Sequence, residues 1–112
     1  MRQFNLFIAL ALFGVSIGAK AQTWNISDLS TSGNNVSATL SGTTLTISGS
    51  GNMADFWSSS QGEAPWYANR NSIQTVVFQS GSNVKNIGNR AFKDCSNLRT
   101  ITIPSTVLRI WI

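Results

Sequence analysis

Hydrophobic and polar residues alternate in two short stretches that lie close together in the chain. Residues 36–40 (VSATL) and 45–47 (LTI) each carry an apolar residue at every second position, and Ser41-Gly42-Thr43 separates them. Period-two alternation on both sides of a glycine-containing turn predicts a β-hairpin. Residues 48–52 (SGSGN) are expected to end it. The predicted buried face of this hairpin consists of Val36, Ala38, Leu40, Leu45 and Ile47.

A second pattern begins at residue 73 and recurs later in the chain. Residues 73–80 (IQTVVFQS) align with residues 98–105 (LRTITIPS) at an offset of 25, and residues 84–87 (VKNI) align with residues 107–110 (VLRI) at an offset of 23. The difference falls in a turn, where insertions are tolerated. A fixed internal period is the signature of stacked repeats, so this pattern predicts a solenoid with a parallel sheet.

Each copy contains a strand with one core-facing side. Ile101 and Ile103 lie two residues apart, so both are expected to point into the core, as are Val76 and Phe78 in the earlier copy. Between the strands, apolar residues recur at steps of one, three and four over residues 84–98, which favours a short helical turn. The outward strand positions, which are candidate ligand contacts, are Thr75, Val77, Thr100 and Thr102.

Two segments flank the hairpin. Residues 23–35 are polar and rich in turn formers, with Trp24, Ile26 and Leu29 as apolar anchors. Residues 53–72 carry large aromatic side chains without any period. Such a loop either packs as a plug on the core or presents a surface on which sugar rings stack. On the second interpretation, the candidate carbohydrate contacts are Trp57, Trp66 and Tyr67.

Residues 1–21 are typical of a secretory signal peptide. Arg2 provides the positive charge, residues 6–17 (LFIALALFGVSI) form an uncharged apolar stretch, and Ala19-Lys20-Ala21 provides the small-x-small cleavage pattern before Gln22. The apolar stretch is shorter than the roughly 20 residues of a transmembrane helix. We therefore expect a secreted or cell-surface chain without a stable membrane span after cleavage.

The composition excludes several kinds of chemistry. The 112 residues include no histidine and one cysteine, so a histidine-based triad, a histidine metal site and an internal disulfide are impossible. The chain after the leader has six basic and four acidic residues, and the basic ones are scattered along it. A nucleic-acid-binding protein would concentrate its basic residues to neutralise phosphates, so this function is not predicted. No cofactor or metal site is predicted. No recognisable glycosidase pair is formed by the four acids, Asp28, Asp55, Glu63 and Asp94.

Residues 84–104 (VKNIGNRAFKDCSNLRTITIP) closely resemble the BspA-like leucine-rich repeats of bacterial, Bacteroides-type surface proteins. Their repeat of about 23 residues carries V-x-x-I-G-x-x-A-F-x-x-C-x-x-L-x-x-I-x-I-P. Residues 42–51 and 64–67 are similar to the segment that often precedes the first repeat. The matching positions are Val84, Ile87, Gly88, Ala91, Phe92, Cys95, Leu98, Ile101, Ile103 and Pro104.

The resemblance implies a mainly β fold with short helical turns: an N-terminal β-hairpin cap followed by the start of a leucine-rich repeat solenoid. We divide the chain into a signal peptide (1–21), a cap with its aromatic loop (22–72) and leucine-rich repeats (73–112). The last part holds a lead-in strand, one full repeat and one truncated repeat. The family pattern would continue with a glycine where Trp111 stands. We therefore expect a truncated form that is marginally stable and exposes a strand edge.

The family implies a non-catalytic role in protein–protein interaction or adhesion at the bacterial surface. The expected partner is a protein or glycan of the host or of a neighbouring cell, and the motif itself assigns no binding residue. The alternative is a carbohydrate-binding module that uses the aromatic loop.

The leader prediction can be tested by intact mass spectrometry of the native protein. We expect a mass that begins at Gln22, because signal peptidase cleaves after the small residue of the Ala19-Lys20-Ala21 pattern. A mass that still includes residues 1–21 would contradict cleavage.

Overall fold

A computed structural model describes residues 21–56 and 62–111, and the structural statements below concern these residues. The leader up to residue 20 and Trp57 lie outside them. The strands are β1 (Gln22–Asn25), β2 (Asn35–Ser41), β3 (Thr44–Gly51), β4 (Thr75–Phe78), β5 (Asn83–Val84), β6 (Asn86–Ile87), β7 (Thr100–Ile101) and β8 (Arg109–Ile110), and a 3₁₀ helix spans Tyr67–Ser72. The main sheet has the order β1-β2-β3-β4-β7, with β5 also on β3, and β6 pairs with β8. The mainly β content predicted from the sequence is confirmed.

The predicted hairpin is present as β2 and β3. The two strands pair antiparallel with Leu40 opposite Leu45 and Ala38 opposite Ile47, and all five predicted core residues are buried. Gly42 has a φ of +61° in the turn, a conformation that glycine adopts without strain. The predicted end at residues 48–52 is wrong, because β3 continues to Gly51 and pairs there with Val84 of β5.

The polar segment before the hairpin also differs from expectation. Its first residues form β1, which pairs antiparallel with β2 and extends the sheet by one strand. Ile26 is buried as an anchor, whereas Leu29 is 86% exposed and anchors nothing. Asp28 and Ser30 close a turn there, and that turn holds the side chain of Leu29 in solvent.

The repeated segments stack in parallel with the register that the sequence offsets predict. Thr75 pairs with Thr100 in β4 and β7, which is the offset of 25, and Asn86 pairs with Arg109 in β6 and β8, which is the offset of 23. The expected in-register stacking is therefore confirmed. Each strand of the parallel stack is called a rung below. The alignment of the repeated segments did not predict one further rung: β3 also pairs in parallel with β4, with Leu45 beside Val76.

The connection between the stacked strands is a series of turns. Between Gly88 and Leu98, four backbone bonds join an N–H to the carbonyl three residues earlier, at 3.2–3.3 Å. Arg90 and Asp94 have φ values of 59° and 60°, in the left-handed region, so the chain cannot continue as a helix. The expected helical turn over residues 84–98 is therefore wrong in detail. The described helix lies instead in the aromatic segment, at Tyr67–Ser72.

The core lies between the main sheet and these turns and ends at the last rung. Val76 and Phe78 are buried as predicted, and Val84 and Ile87 add to the same cluster. The prediction that Ile103 is buried is wrong, because 41% of it is exposed. Among the described residues no strand pairs with the outer edge of β7, which leaves that side chain at the open end of the core.

Gly88, the glycine of the repeat motif, offers a direct test of this packing. A Cβ at this position would overlap the backbone carbonyl of Ala54, and backbone cannot move aside as a flexible side chain can. We expect Gly88→Ala to lower the free energy of unfolding by about 3 kcal/mol, measured by urea unfolding. Gly81→Ala is the control: Gly81 has a φ of +84° and open space around it, so about 1 kcal/mol of backbone strain is expected. Equal losses in the two variants would contradict the overlap.

Candidate functional site

The outward side of the main sheet brings together all four strand positions predicted as ligand contacts. Thr75 pairs with Thr100, and Val77 pairs with Thr46 of the adjacent strand. Val77, Thr100 and Thr102 are exposed and Thr75 is half-buried. The N–H of Thr102 donates to the carbonyl of Val76 at 3.5 Å, which continues the ladder past β7.

The same surface continues across the cap, which the sequence reasoning missed. Thr23, Thr39 and Thr46 follow one another across β1, β2 and β3, and the Thr23 and Thr39 hydroxyl oxygens lie 2.9 Å apart. We call this surface the hydroxyl face. Its residues are Thr23, Asn25, Ser37, Thr39, Thr44, Thr46, Ser48, Thr75, Val77, Thr100 and Thr102. The polar positions of the alternating hairpin could have predicted the residues that the cap contributes to this surface.

The hydroxyl face is uncharged and small. None of its side chains is ionisable, and Val77, 39% exposed, is its apolar member. Strands lie about 4.8 Å apart and outward residues follow one another at about 6.8 Å along a strand, so the eleven residues of the face cover roughly 360 Å². A standard protein interface buries about 800 Å² on each partner. The face alone therefore suits weak contact with a flat, uncharged surface.

The candidate carbohydrate residue Trp66 is in the core. Its exposed fraction is 0%, and its indole N–H donates to the carbonyl of Ala91 at 2.8 Å. The ring centroid lies 6.2 Å from that of Trp24, 5.7 Å from that of Phe56 and 6.2 Å from that of Phe92. The assignment of Trp66 as a ligand contact is wrong, because both faces and the polar edge of its ring are occupied by protein. Trp66 therefore packs as a plug on the core, the first of the two interpretations given above for the aromatic segment.

Tyr67 is half-buried within a charged cluster on the surface. Its hydroxyl donates to Asp94 Oδ2 at 2.5 Å, and the Arg70 guanidinium lies 4.2 Å from the ring centroid. The bond to Asp94 raises the pKa of the tyrosine hydroxyl, since the proton it holds is shared with a carboxylate. Lys93, 3.6 Å from Glu63, completes the cluster. One face of the Tyr67 ring is thus covered by Arg70. The remaining candidate, Trp57, lies outside the described residues.

Cys95 is the single thiol of the sequence. Burial raises the pKa of the Cys95 thiol, which disfavours the reactive thiolate. Cys95 is half-buried and packs against the core. Within residues 21–56 and 62–111, no three histidine, cysteine, aspartate or glutamate side chains are grouped as metal ligands. No helix in these two ranges is both long and apolar enough for a bilayer crossing.

Comparison with protein families identifies the stacked segment. The family model described as BspA type leucine-rich repeat region (6 copies) matches residues 63–111. Residues 63–111 are a BspA-type leucine-rich repeat region. Repeat regions of this family are generally non-catalytic, are associated with protein–protein interaction and occur typically in surface or secreted proteins. No curated protein and no solved structure matches the chain.

The matched region begins before the residues that looked repetitive in the sequence. It starts at Glu63 and includes Trp66 and the 3₁₀ helix, whereas the visible period begins at Ile73. At the offset of 25, Trp66 stands where the motif has Ala91. Because a tryptophan replaces the alanine of the motif, the repeat is hard to recognise in the sequence. The Trp66 side chain is nevertheless buried, as Ala91 is at the corresponding position.

Substitution of Trp66 tests its role as a core residue. We expect Trp66→Phe to lower the free energy of unfolding by about 2 kcal/mol, because the Ala91 carbonyl loses its donor in a buried site. Trp66→Ala should lose about 4 kcal/mol through the cavity it leaves. Both are measured by thermal and urea unfolding. Tyr67→Phe is the matched control, and its change should stay within about 0.5 kcal/mol because its hydroxyl bond is exposed. A Trp66→Ala variant as stable as that control would refute the assignment.

Proposed function

We propose that this protein is an exported, non-catalytic adhesion module that binds protein partners at the bacterial surface through the hydroxyl face. The observation that carries the proposal is the five-strand width of that face, which joins the cap to the BspA-type repeats in one continuous surface. In this proposal the stacked rungs are the beginning of a leucine-rich repeat solenoid. Extended sheet surfaces of this kind are what solenoids use for binding.

The uncharged, hydroxyl-bearing side chains of the face determine how strongly it is expected to bind a partner. Side chains that are hydroxyl-bearing and β-branched lose little rotamer freedom on contact, and they form hydrogen bonds without the desolvation penalty of a buried charge. The area of roughly 360 Å² is less than half of what one partner buries in a standard interface, so we expect weak individual contacts. Adhesion then depends on many copies acting together on one cell surface.

The carbohydrate-binding alternative through the aromatic loop is not favoured. Of its three rings, Trp66 is buried and Tyr67 carries Arg70 on one face.

The proposed function is tested with single charges placed on the face. Surface plasmon resonance would measure binding of the full chain to immobilised fibronectin, laminin and collagen. We expect Val77→Lys and Thr46→Lys to weaken any observed binding about tenfold, because a lysine ammonium would have to be desolvated against an uncharged partner.

Ser32→Lys is the matched control, since it adds the same charge at an exposed loop position outside the sheet. Binding should be unchanged in this variant. If none of the three immobilised proteins binds, or if all three variants bind like the unmodified chain, the proposal fails.

A further inference from the structure

A groove separate from the hydroxyl face lies beside the second, two-stranded sheet. It has a volume of about 430 Å³, within the range of small-molecule sites, and is open to solvent on one side. One wall is formed by residues 52–55 and the other by residues 108–111. We call it the Trp111 groove. The side chains that matter for its chemistry are Asp28, Asn52, Asp55, Asn89, Arg109 and Trp111.

Backbone hydrogen bonds hold both walls in place. The Asn52 carbonyl accepts from the N–H of Asp28 at 2.9 Å, and the N–H of Trp111 donates to the Ile87 carbonyl at 3.0 Å. Between the walls lies Asn86, which is buried and bonds both backbone groups of Met53, at 2.7 and 3.2 Å. The groove is therefore formed before any ligand arrives, which reduces the entropy lost on binding.

Each of the two carboxylates of the groove is held in place by hydrogen bonds to one of its oxygen atoms. Asp55 Oδ1 accepts from the backbone N–H and the side-chain amide of Asn89, at 2.8 and 3.2 Å. Asp28 Oδ1 accepts from the N–H and hydroxyl of Ser30, at 2.9 and 2.6 Å. The Ser30 hydroxyl lowers the pKa of Asp28, so this group is ionised at neutral pH. Both sets of bonds use Oδ1, which leaves each Oδ2 able to accept from a ligand.

The remaining groups supply donors and an apolar surface. Arg109 provides guanidinium N–H groups, and Asn52 provides an amide that both donates and accepts. Trp111 is 45% exposed and Leu108 is 76% exposed at the rim. Planar acceptors and donors beside an indole are complementary to a molecule with many hydroxyls along its edge and a C–H surface on its ring face.

Charge narrows the class of ligand. Two carboxylates and one guanidinium leave the groove with a net negative charge, so an acidic sugar or a phosphate would be repelled. The positive charge of the Arg109 guanidinium would in turn repel a metal cation. From this arrangement we propose that the Trp111 groove binds a neutral oligosaccharide, with one sugar ring stacked on Trp111 and its hydroxyls bonded to Asp55, Asp28 and Arg109. None of the residues of the hydroxyl face lines this groove, so the inference does not depend on the proposed protein binding.

Isothermal titration calorimetry and tryptophan fluorescence of the full chain test the inference. The probes are maltotetraose, cellotetraose, mannotetraose and tetra-N-acetylchitotetraose at millimolar concentrations. We expect at least one to bind and to change the fluorescence. Trp111→Ala and Arg109→Ala should weaken that binding about tenfold or more, and Trp111→Phe should restore part of it because an aromatic face returns.

The substituted side chains are exposed, so the variants should keep the fold, which a circular dichroism melt verifies. Val77→Lys is the matched control: it should leave oligosaccharide binding unchanged even where it weakens binding to a matrix protein. The inference is overturned if no probe binds, or if a bound probe keeps its full affinity in both alanine variants.

Discussion

The burial of one indole ring holds the two halves of this molecule together. Trp66 contacts Trp24 of the first strand, Phe56 of the aromatic loop and Phe92 of the repeat, and it donates its N–H to the carbonyl of Ala91. A small chain with a single cysteine has no disulfide to replace such a contact. On the core side of the sheet, this one side chain and its hydrogen bond connect the cap to the repeats.

The sheet provides the second connection, because β3 belongs to both halves. It pairs antiparallel with β2 and parallel with β4. At the start of the rungs, the carbonyls of Thr43 and Gln74 each accept two N–H bonds from the next strand, at 2.8–3.2 Å. Those shared carbonyls keep successive strands in register. The antiparallel strands thus cover one edge of the parallel rungs and also widen the hydroxyl face.

The two candidate surfaces arise from different parts of the same architecture. The hydroxyl face consists mainly of strand positions, where alternation places every second side chain outward. The Trp111 groove lies mainly where strands end and turns begin, and its walls come from residues 52–55 and 108–111. Regular strands produce a flat surface with one kind of chemistry. Irregular turns produce a concave site in which acids, amides, a guanidinium and an indole converge.

The sequence by itself determined the hairpin, its buried face and the register of the stacked strands, because each follows from a local period. It also placed Val77 and Thr102 on the outward side. Tertiary structure alone decided that Trp66 is core and that Asp55 and Trp111 share a groove. The contacts responsible join residues far apart in the chain, such as Asn86 with Met53 and Trp66 with Ala91. A period reports which side of its own strand a residue faces, whereas its neighbours across the fold depend on how the strands and turns pack together.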